Sequence, residues 1–181
     1  MDKTSKAILN LINEGVGSAG CLMVNFPLAD SIEILKWVDE TVPSEVVITP
    51  EREVHITILY GVSPDVPVSE IQSFVESLPL VVVKLGSVGF FKQADQDVMK
   101  LAVDSPQLQE INQKLKEFIG AHNIEPSKYE YNPHLTLAYV KPGSLQHLEG
   151  NDRFNGYVYL LKNMTYSEPG SVKKHQFSLS N

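Results

Sequence analysis

Apolar residues in this chain recur with two different periods, and the changes of period divide it into elements. Between Lys3 and Glu14, Ile8, Leu9, Leu11 and Ile12 fall at helical intervals until Gly15, Gly17 and Gly20 interrupt them. Cys21–Phe26, apolar except at Asn25 and closed by Pro27, predicts a strand. Helical spacing returns over Ala29–Glu40 through Ile32, Leu35, Trp37 and Val38, with Asp30 or Ser31 as N-cap and Pro43 beyond the end. Short strands are predicted over 46–48 and 54–60, then a helix over 68–77 after Pro64 and Pro67. Further strands are predicted over 80–85 and 88–91, interrupted at Gly86 and Gly89, and over 98–103 after the polar loop Gln93–Asp97. Ser105-Pro106 opens an amphipathic helix whose Leu108, Ile111, Leu115, Phe118 and Ile119 line one face as far as Gly120. Strands over 135–140, 156–162 and 172–179 complete the pattern.

Two of these strands carry the same polar pair. His55-Ile56-Thr57-Ile58-Leu59-Tyr60 and His134-Leu135-Thr136-Leu137-Ala138-Tyr139 each set a histidine and a threonine two positions apart in an apolar run. Strand side chains alternate between faces, so each His and its Thr point the same way. The copies lie 134 − 55 = 79 residues apart, each after a helix-bearing segment, in a chain with only five histidines and six threonines. This order predicts one α+β domain over residues 1–181, with two pseudo-symmetric antiparallel-sheet lobes and helices on the outer faces. Strict alternation sends Tyr60 and Tyr139 to the opposite face, where they would pack behind the motif.

The repeated pair suits phosphoryl chemistry. Two imidazoles, with an ordinary pKa near 6.5, divide acid and base work at neutral pH. Two threonine hydroxyls donate hydrogen bonds to the non-bridging oxygens of a phosphoryl group held between them. On this reading the catalytic set is His55, Thr57, His134 and Thr136, with no metal and no other cofactor. A catalytic zinc wants three protein ligands, and threonine is a poor one; the nearest carboxylate on the alternating face of His55 is Glu53, two residues upstream. No Gly-x-Ser-x-Gly elbow is present. His122, His147 and His175 read as surface residues, the last beside Lys173 and Lys174, which would attract an anion. Cys21 reads as a small buried side chain.

Charge narrows the partners. The net charge is −7 and the longest basic run is Lys173-Lys174, which argues against binding long nucleic acid and for a small nucleotide in a pocket. No apolar run is long enough to span a bilayer, no signal-peptide pattern opens the chain, and a lone cysteine fits a reducing compartment, so no membrane partner and a cytoplasmic location are expected.

At the two His-x-Thr motifs the chain resembles the two-histidine (2H) phosphoesterases, which carry such motifs on strands of a bilobal α+β fold. The resemblance implies metal-independent chemistry on cyclic phosphates or on 2′,5′- and 3′,5′-linked phosphodiesters. It places His55 and His134 as acid and base, and Thr57 and Thr136 on the phosphate. Glu51–Gly61 is further similar to the phage-encoded anti-CBASS phosphodiesterases, as are Ser87-Val88-Gly89-Phe90-Phe91 and the Ser105-Pro106 helix start. That likeness implies hydrolysis of the cyclic di- and trinucleotide messengers of bacterial antiviral defence, with the ribose 2′-hydroxyl as internal nucleophile and a 2′,3′-cyclic phosphate on the way. It also implies an aromatic residue near the first strand, where this chain has Cys21, Leu22 and Met23, and a late carboxylate. Glu168, in Tyr166-Ser167-Glu168-Pro169, fills the latter place, with Tyr166 as a second substrate-binding candidate. Two alternatives stand beside this one. An RNA-processing 2H enzyme acting on 2′,3′-cyclic ends or 2′,5′ linkages is disfavoured by the missing basic stripe, and a module that sequesters a nucleotide uncut is disfavoured by two intact His-Thr pairs.

Overall fold

The computed structural model describes residues 19–120, 123–124, 130–170 and 173–180; the helix expected over Lys3–Glu14 and His122 lie outside them. The elements are β1 (Gly20–Asn25), α1 (Leu28–Thr41), β2 (Val47–Pro50), β3 (His55–Val62), α2 (Val68–Glu76), β4 (Val81–Lys92), β5 (Asp97–Asp104), α3 (Pro106–Ile119), β6 (His134–Val140), β7 (Val158–Leu161), β8 (Asn163–Ser167) and β9 (Lys174–Ser178). Among the described residues they form a mixed α+β fold, a curled antiparallel half-barrel with three α-helices.

The expected two lobes are hydrogen-bonded into one sheet. Its nine strands run β7-β4-β5-β6-β3-β1-β8-β9, with β2 added on β6. The seam between the half-sheets is β3 against β6, registered at a single pair, Ile56 with Leu135. Beyond that pair β6 is paired by β2 instead, through Val47–Val140, Thr49–Tyr139 and Pro50–Ala138. Both His-x-Thr motifs therefore sit where the two halves meet.

Helices cover the face that holds Ile56 and Leu135, each 0% exposed. α3 packs on β3 and β4, burying Leu108, Ile111, Leu115 and Ile119, each contributing about 2 kcal/mol of apolar transfer. Its start is as predicted: the Ser105 hydroxyl accepts from Leu108 N–H, Pro106 opens the first turn, and Ser105 Oγ donates to the Val82 carbonyl at 2.7 Å. Gly120, at φ 81°, ends it.

Three departures from expectation bear on how the sheet is built. α1 begins at Leu28 with Pro27 as N-cap, not Asp30 or Ser31; the Ser31 hydroxyl donates back to the Pro27 carbonyl at 3.0 Å. Gly86 does not end a strand, because β4 runs on through a register shift between Leu85 and Val88. A Cβ at Gly86 would lie 3.0 Å from that of Ala102, so glycine keeps β4 close against β5 there. The run expected over 156–162 ends at Leu161, and Asn163 starts β8 on the opposite half-sheet, a strand the apolar pattern did not reveal.

Candidate active site

The Ile56–Leu135 pair fixes what its neighbours meet. Antiparallel register centred there sets His55 alongside Thr136, and Thr57 alongside His134, on the face away from the helices. The four side chains are all half-buried, so they are held yet reachable. Each histidine faces the other motif's threonine, as a pseudo-twofold axis through Ile56–Leu135 requires.

The same backbone device orients both rings. His55 Nδ1 bonds the Glu53 carbonyl and His134 Nδ1 bonds the Asn132 carbonyl, each at 2.7 Å and each two residues upstream. A carbonyl can only accept, so each Nδ1 carries its proton and Nε2 is left to exchange protons over the seam. The turn before His55 is itself fixed, since the Glu51 carboxylate accepts from the N–H groups of Arg52 (2.8 Å) and Glu53 (3.0 Å). On the other side the Tyr131 hydroxyl, three residues before His134, donates to the Thr57 carbonyl at 3.2 Å and ties the two approaches together. Burial raises the Tyr131 pKa, which keeps that hydroxyl a donor.

A second device is also duplicated, and it corrects the tyrosine expectation. β1 and β3 shift register between Leu22 and Met23, and β5 and β6 shift between Met99 and Lys100. In each motif strand two consecutive residues after the threonine are buried, Ile58-Leu59 and Leu137-Ala138. A bulge inserts one residue and reverses the alternation beyond it. Tyr60 and Tyr139 are thereby carried round to the histidine face, Tyr60 lying 40% exposed and opposite Cys21, Tyr139 opposite Val98. A bulge displaces a carbonyl from its ladder, and the buried Asn112 of α3 donates to the Ile58 carbonyl at 2.6 Å.

The flanks of the two half-sites differ. Beside His55 on β1 is Asn25, whose Oδ1 accepts from the Thr165 hydroxyl at 2.6 Å. Beside Thr136 on β5 is Lys100, and beside His134 is Ala102. The Phe91 ring meets His134 edge-on, with centroids 4.8 Å apart. Burial pushes the His134 pKa below the usual imidazole range, partly opposed by its bond to Asn132, and the charges of Lys100 and His55 depress it further. The two imidazoles are thus close enough to sense each other.

Not every expected site residue joins this group. Tyr166 is 1% exposed, on the core side of β8 opposite Leu22, while Thr165 takes the outward position. Alternation along β8 gives the physical reason, and Gly20 makes the room: a Cβ there would lie 2.5 Å from the Tyr166 ring. Glu168 lies just past the end of β8, its carboxylate bonded to His175 Nε2 and 3.7 Å from Lys173 Nζ, with its pKa lowered chiefly by the His175 bond. His175 is accordingly not the surface residue expected; it is half-buried and stacked on Tyr166 and Phe177, whereas His147 is exposed. Cys21 is half-buried rather than buried, its Sγ 4.0 Å from Thr57 Oγ1. The Glu53 carboxylate turns away to Lys174. Among the described residues no three His, Cys, Asp or Glu side chains cluster as a metal site, and no helix is long and apolar enough to cross a membrane. Asn25, Phe91 and Lys100 enter through pairing between distant strands and Tyr131 through its bond to the Thr57 carbonyl, neither of which local pattern reveals.

This arrangement defines a two-histidine phosphoesterase type of protein. Residues 42–158, more than half of the chain, match the family model described as the 2′-5′ RNA ligase superfamily, and the chain belongs to that family of 2H phosphoesterases. No curated protein matches it. Among solved structures it is similar in fold to Escherichia coli LigT complexed with 3′-AMP, at 16% identity and TM-score 0.66, covering 90% of this chain and 95% of that one. TT0787 of Thermus thermophilus is similar at 15% identity and TM-score 0.65, covering 88% and 97%. Usb1 of Kluyveromyces marxianus is similar at 10% identity and TM-score 0.56, covering 91% and 99%.

Proposed function

We propose that the chain is a metal-independent phosphodiesterase that cleaves cyclic di- and trinucleotides through the ribose 2′-hydroxyl. The observation that carries this reading is the pair of imidazoles, each tethered through Nδ1 to a carbonyl and each set beside a threonine hydroxyl across one seam. His134, with its pKa lowered, is neutral at pH 7 and takes the 2′-hydroxyl proton. The bond from that oxygen to phosphorus forms as the P–O5′ bond breaks, and His55 gives a proton to the departing O5′. Thr57 and Thr136 donate to the non-bridging oxygens, where negative charge grows. Water then opens the 2′,3′-cyclic phosphate with the roles of the imidazoles exchanged. A net charge of −7 without a long basic run supports a small substrate. Encoded by a phage, such an enzyme would work in the host cytoplasm and remove the messengers of bacterial antiviral defence.

A second reading has its own support. The family description names 2′-5′ RNA ligases and a LigT structure holds 3′-AMP, which favours action on 2′,3′-cyclic ends or 2′,5′ linkages of RNA. Incubation in EDTA with 3′,3′-cyclic GMP-AMP, a cyclic trinucleotide and a cyclic-ended RNA oligomer, followed by product analysis, separates the two. Faster linearisation of the cyclic oligonucleotides is expected. Preferential turnover of the RNA ends would install the second reading, and no turnover of any substrate in EDTA would contradict both.

A further inference from the structure

Across the seam the half-sites match position by position, but not in charge. The strand neighbour of Thr57 is Met23, and the corresponding neighbour of Thr136 is Lys100. One row of the sheet therefore reads Asn25, His55, Thr136, Lys100, Gly89. Cross-strand neighbours stand about 5 Å apart at Cβ, a span the four-carbon lysine stem covers easily. Lys100 Nζ rests 4.6 Å from the centroid of Phe91, the ring that meets His134 edge-on. Nζ lies over Gly89, 3.5 Å from where a Cβ there would stand, an ordinary contact distance. Lys36, Lys92, Lys114, Lys173 and Lys174 each stand within ion-pair distance of a carboxylate; of the described lysines that do not, Lys84, Lys116, Lys141 and Lys162 are exposed and Lys100 is half-buried. A partly buried ammonium with no carboxylate beside it, in the row of both motifs, is placed to receive an anion. Burial holds its pKa below the usual ammonium range, and its charge is felt at His134.

The substrate makes the requirement. A phosphodiester is an anion, and charge accumulates on its non-bridging oxygens as the new bond forms, while this chain carries −7 overall. We propose that Lys100 contacts the non-bridging phosphate oxygen on the Thr136 side, so that one half-site alone supplies a fixed positive charge to the substrate and its transition state. This rests on the phosphodiesterase reading. It makes Lys100 a further catalytic residue and gives the doubled motif a polarity.

Lys100→Met and Lys100→Arg test it, with three measurements on each purified protein: calorimetric binding of inorganic phosphate, turnover of 2′,3′-cyclic AMP and 3′,3′-cyclic GMP-AMP in EDTA, and melting temperature. Lys100→Met is expected to lower kcat/KM about a hundredfold and phosphate affinity about tenfold at unchanged melting temperature, with Lys100→Arg within about fivefold of the parent. Lys100→Met within twofold of the parent in both binding and turnover would overturn the proposal. Equal losses in both variants with a lowered melting temperature would also overturn it, making Lys100 a packing residue on Phe91. A parent protein that turns over neither nucleotide would count against the phosphodiesterase reading, and phosphate binding would still decide the role of Lys100.

Discussion

The two half-sites share a backbone and differ in surroundings. In each, a histidine Nδ1 is held by the carbonyl two residues upstream, a threonine follows on the same face, and a bulge then turns a tyrosine toward that face. Beside His55 is Asn25, itself held by the Thr165 hydroxyl, both neutral. Around His134 the neighbours are Phe91 and Lys100, and the ring is held neutral. What is duplicated is what acid–base chemistry needs twice: a fixed tautomer and a donor to phosphate. On the proposed reading the differences divide the labour: His134, whose pKa is lowered, takes the proton and His55 gives one.

The comparison breaks most sharply at the imidazoles. His55→Ala and His134→Ala are each expected to lower kcat by about a thousandfold or more in steady-state assays, with the fold intact by circular dichroism. Thr57→Val and Thr136→Val each remove one donor and are expected to cost about a hundredfold in kcat. A smaller effect falls on stability. Asn112→Leu leaves the Ile58 carbonyl at the first bulge without its 2.6 Å donor, and denaturant titration should show a loss of about 1–3 kcal/mol. Most subtle is pH. A base must be unprotonated, the neutral fraction of His134 rises with pH through its pKa, and that pKa lies below 6.5; the acid limb of kcat/KM should therefore fall below pH 6.5.

The motifs themselves were legible because strand alternation is local: a His and a Thr two apart must share a face. So were the ends of α3, through Ser105, Pro106 and Gly120. What pattern could not supply is register between distant strands. Nothing local to β3 or β6 says that Ile56 meets Leu135, that Lys100 of β5 lies beside Thr136, or that Asn112 of α3 will satisfy a bulge. The bulges also explain the tyrosines, because a single inserted residue reverses an alternation that was counted correctly up to the threonine. Tyr166, expected as a second substrate-binding residue, is a related case: alternation along β8 sends its ring into the core.

The division of labour is tested most directly by a substrate that needs no acid. In a uridine 3′-(4-nitrophenyl phosphate) the departing phenolate leaves without a proton, so the acid becomes dispensable while the base does not. Single-turnover release of nitrophenolate should be nearly normal in His55→Ala and remain about a thousandfold down in His134→Ala. Equal impairment of the two variants, or rescue of His134→Ala instead, would contradict the assignment.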